Sequence, residues 1–292
     1  MADWEGKSKG TPLGYRIFIF IIKTIGTSAA YLLLYPVVAW YVFFSKKSNK
    51  AAREYFKNLR QFYNEELKLS LFKTYYKMGQ TLIDKIAIMS VDKPDFEVER
   101  EGMENLKAMD EGQTGGFLIS AHIGNWEIAG HMTKPYNTPI NIVLLDGEEE
   151  QIKKVMDDAT GVRNFKTIAI KNDMSHMFKI YEAARRHEFI CIHGDRFLPG
   201  AKTLEESFLG KKAEFPAGPF AMATKLGLPV SFVYGMKESA SKYHFYCTKP
   251  YSGALKAEDL LHDYVQHLQQ MLLKYPNQWF NFYPFWKKPE NA

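Results

Sequence analysis

From Thr24 to Phe44 the chain runs for 21 residues without a charge, TIGTSAAYLLLYPVVAWYVFF, and the apolar stretch Ile17 to Ile22 precedes it. Such a run restricts the options, because roughly 20 apolar residues span the hydrocarbon core of a bilayer. Tyr31, Tyr35, Trp40 and Tyr41 supply rings that favour the membrane interface, and Lys46, Lys47, Lys50 and Arg53 close the segment. A secretory signal fits poorly: Asp3 and Glu5 sit where a basic region belongs, and the apolar stretch is too long. Three readings stand: a membrane-embedded segment, a buried helix of a soluble core, and an amphipathic anchor in the membrane surface. Gly26 and Pro36 bend or break helices, so an embedded segment can also take the form of a re-entrant hairpin. Arg16 and Lys23 lie before the run and Lys46 to Arg53 after it, so charge leaves its orientation open.

The remainder is ordinary in composition. Of the 292 residues 46% are hydrophobic and 24% charged, which excludes wholesale disorder. A mean hydropathy of -0.30 excludes a multi-span membrane protein. The net charge of +5 suits an anionic partner without choosing among lipid, nucleic acid and acidic protein. Basic residues form no recognisable nucleic-acid module, so no nucleic-acid partner is expected. Two cysteines, Cys191 and Cys247, are too few for a disulfide framework or a zinc cluster, and fit a thiol-reducing compartment. Aromatic residues crowd both ends of the chain, which hints at contact with something apolar.

Residues 51–69 and 70–90 read as two helices, with apolar residues at three- and four-residue steps and basic ones between. From 96 onward strands alternate with helices. Expected strands are 96–101, 116–121, 140–145, 167–170, 188–192, 229–235 and 243–249. Expected helices are 103–110, 124–132, 148–159, 173–187, 216–227 and 257–275. The alternation predicts an α/β fold: a mixed, mainly parallel sheet flanked by helices, carrying an N-terminal membrane-associated helical arm. The division is into a membrane-anchoring segment 1–50 and a body 51–292, with 51–90 as helical cover. In such sheets, sites form at the carboxyl ends of strands.

Three stretches are candidates for chemistry. The first is Ser120-Ala-His122-Ile-Gly-Asn125-Trp-Glu127, at the end of an apolar strand. Five residues along one helix rotate about 140°, so His122 and Glu127 cannot share a face of a continuous helix. With His122 in the turn, sharpened at Gly124, and Glu127 in the first helical turn, the carboxylate folds back to an imidazole nitrogen. That orients the ring and leaves the other nitrogen as general base. Free N–H groups at the helix start suit an oxyanion. The bland alternative is a histidine at a strand end and a glutamate favoured by the helix dipole. The second stretch is His193-Gly194-Asp195-Arg196, where Asp195 and Arg196 either hold substrate or form a solvated turn. His193 and Asp195 suit a metal, but no third ligand accompanies them at suitable spacing, so no metal is expected. The third stretch, Phe208 to Pro219, reads as a loop entering a helix, with Gly218 where backbone approaches a ligand and Pro219 at an early helical position. Lys211 and Lys212 in it either attract an acidic carrier or are merely solvated. Walker, dinucleotide, C-x-x-C, H-E-x-x-H and G-x-S-x-G signatures are missing.

In this order the three stretches resemble the bacterial lipid A late acyltransferase family of the lysophospholipid acyltransferase-like superfamily. His122 and Glu127 match the family's H-x4-D/E motif in its Glu form, HX4E, and Asn125-Trp126 is typical of the lipid A branch. Gly194 to Phe197 resembles the second block and Phe208 to Val230 the third. The opening WEGKSKGTPLGYRIF and the closing WFNFYPFW resemble a subgroup of acyltransferases associated with aryl-polyene or other lipid-like products. Two features depart from the lipid A enzymes: Tyr283-Pro-Phe-Trp286 stands where they carry His and Arg, and the segment after 140–145 is acidic (Asp146, Glu148, Glu149, Glu150). Both leave the acceptor open. The resemblance implies an O-acyltransferase on the cytoplasmic face of the inner membrane. Its donor is an acyl carrier protein thioester, its acceptor a lipid or glycolipid hydroxyl, and it needs no metal or organic cofactor because the thioester is already activated. It assigns His122 as general base and Glu127 as its orienting partner, with Asn125, Asp195, Arg196 and Gly218 around the substrate. A hydrolase on the same site and a non-catalytic membrane-surface binding protein are the rival readings.

Overall fold

The computed structural model describes residues 11–89, 96–125, 128, 136–145, 165–170, 173, 175–254 and 256–286. The expected helix 148–159, most of helix 124–132, Glu127 and the acidic segment from Asp146 lie outside the described residues.

The apolar stretch Ile17 to Ile22 and the uncharged run fall on two successive helices. Helix α1 (Pro12–Thr24) starts on Thr11, whose hydroxyl accepts from the Gly14 N–H at 3.2 Å. The chain reverses at Gly26, whose φ of 106° a side chain would strain, and α2 (Thr27–Phe44) returns. Pro36 sits inside α2 and does not end it; the ring removes only the bond to the Leu32 carbonyl. Ala30, Tyr31, Leu34 and Val38 form a buried stripe at helical spacing, packed on Tyr75, Ile83, Ile86 and Ala87 of α4 (Leu71–Met89). The opposite side exposes Leu32, Tyr35, Trp40, Phe43 and Phe44. Between α2 and α4 in the chain comes α3 (Lys46–Tyr63), whose buried face carries Ala51, Ala52, Tyr55, Phe56 and Leu59. It starts earlier than the expected helix because Lys46 to Lys50 are helical too. Asn64, in the left-handed region at φ 52°, ends it.

The body is the expected α/β fold. Its elements are β1 (Glu97–Glu101), α5 (Met103–Glu111), β2 (Gly116–Ser120), β3 (Ile140–Leu145), β4 (Lys166–Ile170), α6 (Ser175–Arg185) and β5 (Phe189–His193). Then follow β6 (Thr203–Phe208), β7 (Lys211–Pro216), α7 (Ala217–Leu226), β8 (Val230–Lys237), β9 (Lys242–Cys247) and α8 (Ala257–Lys274). Seven strands form one sheet in the order β1-β9-β8-β2-β5-β3-β4, parallel throughout except between β8 and β9. Every residue of the central strand β2 is buried, which is why it reads as an unbroken apolar run. Phe117 and Ile119 face one side with Ile190, Ile192, Val230 and Phe232, under α3, α6, α7 and α8. Leu118 faces the other side with Phe189 and Cys247, against Leu106 and Met109 of α5.

One expected loop is a hairpin instead. Phe208 to Pro216 forms the turn and second strand of the β6–β7 pair, with Leu209 (φ 50°) and Gly210 (φ 74°) both left-handed at the turn. Two consecutive positive φ values make the turn that matches strand twist, and Leu-Gly is a less familiar signal for it than Asn-Gly. The C-terminal aromatics, expected to meet an apolar partner, belong to the core. Trp279 is 1% exposed and Trp286 6%, packed with Phe208 and Phe285.

Candidate active site

Strands β2 and β5 are neighbours in register, with Ser120 opposite His193. The Gly194 N–H donates to the Ser120 carbonyl at 2.8 Å, and the Tyr264 hydroxyl donates to the same oxygen at 3.1 Å. The first two sequence stretches therefore leave the sheet side by side at the carboxyl ends of two central parallel strands. Beyond β2, Ile123 forms an antiparallel bridge with Trp279, and the Phe280 N–H donates to the His122 carbonyl at 3.0 Å. The C-terminal aromatic block thus straps down the loop that carries His122. Gly124 is required there: its φ is 60°, and a Cβ would stand 2.2 Å from the Gly235 carbonyl oxygen.

His122 Nδ1 lies 2.8 Å from Asp195 Oδ1. Asp195 Oδ2 accepts from the His122 backbone N–H at 3.0 Å and from Trp279 Nε1 at 3.2 Å. Burial alone would raise the Asp195 carboxyl, but His122 and Arg196 outweigh it and hold the group well below the usual carboxylate range. An ionised carboxylate only accepts, so Nδ1 carries the hydrogen of the neutral ring and Nε2 carries the lone pair. Burial and the Arg196 guanidinium keep His122 below the ordinary imidazole range, although Asp195 pulls it upward. His193 is pushed down as well, first by burial and then by His122. Its Nδ1 stands 3.2 Å from His122 Nε2 and donates to that lone pair. The result is a chain from His193 through His122 to Asp195, with the His122 side chain 26% exposed and Asp195 1%.

These three residues bring ligand atoms within 4.8 Å of one another, so the third partner that sequence spacing lacked is His122. Asp195 and His193 nevertheless hold opposite edges of the His122 ring, which makes the group a hydrogen-bonded chain rather than a cage around one ion. Asp195, expected near substrate, spends both oxygens inside the protein, one of them on His122 Nδ1; Glu127, expected as the partner of His122, lies outside the described residues. Arg196 donates to the Phe280 carbonyl at 2.7 Å and lies 5.6 Å from the centre of the Tyr283 ring, tying β5's exit to the C-terminal block. Asn125 is buried, donates to the Thr81 carbonyl of α4 at 3.0 Å, and accepts from the Ile128 N–H at 3.4 Å. Gly218 is in the first turn of α7 with no atom within 4 Å of where a Cβ would stand.

An apolar cavity, about 730 Å³ when the open solvent at its mouth is included, lies beside His193. Leu118, Ser120, Cys191, His193, Ile142 and Val233 belong to its wall. Burial pushes the Cys191 thiol up to about 12, so it is a neutral wall group and not a nucleophile. His193 and the cavity are the parts of the site that sequence reasoning did not assign. The signal for His193 was present, since it ends a strand that abuts the strand before His122.

The profile of the bacterial lipid A biosynthesis acyltransferases matches residues 11–288. No curated protein matches the chain. Among solved structures, the 1-acyl-sn-glycerophosphate acyltransferase PlsC from Thermotoga maritima is 14% identical over 85% of this chain and 99% of that one, with a TM-score of 0.39.

Proposed function

The chain belongs to the bacterial lipid A biosynthesis acyltransferase family and is an acyltransferase; from that premise we propose that it moves a fatty acyl chain from an acyl carrier protein thioester to a lipid or glycolipid hydroxyl. The observation that carries this reading is the neutral His122, with Nδ1 committed to Asp195 and the lone pair of Nε2 turned toward His193, a residue of the cavity wall. The acceptor hydroxyl displaces the His193 N–H from that lone pair and gives Nε2 its proton. Its oxygen attacks the thioester carbonyl carbon while buried Asp195 balances the imidazolium. Collapse of the tetrahedral adduct breaks the C–S bond, and the departing sulfur takes the proton back from Nε2. The acyl chain lies along the apolar wall of the cavity, whose lining is almost wholly hydrophobic, as ligand sites usually are. Glu127 is proposed as a second carboxylate of the site, in the place the motif gives it.

The surroundings support a lipid acceptor and an acidic donor. Among the described residues α2 alone is long and apolar enough to cross a membrane, with a mean hydropathy of 1.5 and only 22% of it buried. We place the arm in the inner membrane with the site on the cytoplasmic face. Lys46, Lys50, Arg53, Lys57 and Arg60 are all exposed and recur at three- and four-residue steps along α3, which offers an acidic carrier a straight basic row. Lys211 is exposed beside them in chemistry, whereas Lys212 is already paired with Glu205 at 2.8 Å.

The test is transfer of a labelled acyl group from the carrier protein to a bacterial lipid extract. His122→Ala should reduce transfer by about 10²- to 10⁴-fold without changing the melting temperature. Apparent affinity for the carrier should fall as salt rises. Release of free fatty acid at an unchanged rate with or without lipid identifies a hydrolase instead. A folded His122→Ala protein with normal transfer refutes the assignment.

A further inference from the structure

The cavity beside His193 contains a polar group that the protein leaves without a partner. Ser120 is 4% exposed, and its Oγ makes no hydrogen bond. Register fixes its direction. Ser120 stands opposite His193 on the β2–β5 ladder, and opposed residues of parallel strands share a sheet face. Leu118 and Cys191, the pair two residues earlier on the same strands, belong to the same cavity wall. Neighbouring strands lie about 4.8 Å apart, so the hydroxyl sits one strand spacing from a ring whose Nδ1 is 3.2 Å from His122 Nε2. It therefore lies close to the reacting carbonyl, at the point where a bound chain enters the apolar wall.

A buried hydroxyl without a partner is unfavourable, and alanine would remove the penalty by deleting one oxygen. The backbone of Ser120 needs no help from it, because its carbonyl already accepts from Gly194 and Tyr264. Resting on the reading of this site as one of acyl transfer, we propose that Ser120 selects a donor chain that carries a hydroxyl near its thioester end, a β-hydroxyacyl group, over an unsubstituted chain. An unsubstituted chain lays methylene against Oγ and leaves the serine unpaired. A β-hydroxyl both donates and accepts, so it satisfies Oγ while the rest of the chain continues along Leu118, Cys191, Ile142 and Val233. Sites that hydrogen-bond a substrate hydroxyl discriminate against the analogue that lacks it, because their own polar group is then stranded.

The experiment uses the full-length protein in detergent and two acyl-pantetheine analogues of equal chain length with methylene in place of sulfur, one β-hydroxylated and one unsubstituted. The wild type should bind the hydroxylated analogue about 3- to 10-fold more tightly, the range of one net neutral hydrogen bond. Ser120→Ala should bring that ratio to about one and melt no lower than the wild type. Equal binding by the wild type, or a preference that survives in Ser120→Ala, overturns the proposal. Transfer from the two matching carrier thioesters to a lipid extract separates it from the reading it rests on. Equal transfer of both chains overturns the role of Ser120 and leaves acyl transfer standing. The expected binding preference with transfer of neither chain supports Ser120 and overturns the transferase mechanism.

Discussion

Asp195 Oδ1 lies 2.8 Å from His122 Nδ1, although 73 positions separate the two residues in the chain. The contact fixes the tautomer: the ring donates at Nδ1 and is basic at Nε2. Asp195→Asn keeps the shape but can present an amide N–H to Nδ1, which then carries the lone pair while Nε2 takes the hydrogen. Transfer should fall by about 10²- to 10⁴-fold, the full worth of a general base. Glu127→Gln should lose less, because the carboxylate on Nδ1 is Asp195. Turnover and a thermal melt of each variant decide the order; a folded Asp195→Asn enzyme with near-normal transfer, beside an inactive Glu127→Gln, would reverse the two roles.

The acid limb of kcat/KM carries a second expectation. His122 works as the neutral ring, so activity is lost as pH falls through its folded pKa. Burial and Arg196 depress that pKa, which places the limb on the acid side of the ordinary imidazole value of about 6.5. Arg196→Gln removes the cation but leaves Asp195 to favour the charged ring, so the limb should move to higher pH. A pH–rate profile of the two proteins measures the direction; a downward or absent shift contradicts the assignment of His122 as the titrating base.

Much of this arrangement could be read from residues alone, and the failures share a physical cause. Strands such as Gly116–Ser120 are unbroken apolar runs, so the parallel sheet was legible, as was the helix Ala257–Lys274 from its periodicity. His122, Gly194-Asp195 and the rule that sites gather at strand ends were legible too. That Asp195 reaches His122 was not, because 73 positions separate them along the chain and only the adjacency of two strands brings them together. The β6–β7 hairpin was hidden because its turn is Leu209-Gly210 between short, mostly polar strands. The terminal aromatics hinted at contact with something apolar, and for Trp279 and Trp286 that is the core itself, since nothing local marks a C-terminal segment that folds back under Tyr55.

The hairpin of α1 and α2 joins the body as well as facing outward, and this changes how membrane binding is tested. A chain beginning at Ser45 would lose Ala30, Tyr31, Leu34 and Val38 and uncover Tyr75, Ile83 and Ile86 of α4. It should be less stable and aggregate, so its solubility says little about the membrane. Leu32→Lys with Phe43→Lys and Phe44→Lys alters only side chains that are 70%, 75% and 66% exposed. That triple variant should keep the wild-type melting temperature in detergent and shift from the membrane to the soluble fraction. Full retention on membranes would show that this face is not the one embedded.

A buried ion pair ties the helical cover to the sheet, and Tyr31 of the arm joins it. Lys237 Nζ of β8 lies 2.5 Å from Asp84 Oδ2 of α4, both side chains are 0% exposed, and the hydroxyls of Tyr31 on α2 and Tyr243 on β9 donate to the same carboxylate. Lys237 also donates to the Ala240 carbonyl at 3.0 Å and lies 4.7 Å from the Tyr243 ring centre. Burial pushes the Asp84 carboxyl up and the Lys237 ammonium down, each opposed by the other's charge. Removing one partner strands a buried charge and should cost about 3–5 kcal/mol, whereas replacing both with apolar groups of similar size is often neutral. Lys237→Met alone and Asp84→Leu alone should therefore each lower stability steeply, and the double variant should recover most of the loss. Denaturant melts in detergent measure all three. If the single variants are as stable as the wild type, the four-element junction does not hold the arm; if the double variant is no better than either single, the two tyrosine hydroxyls and not the ion pair carry the stability.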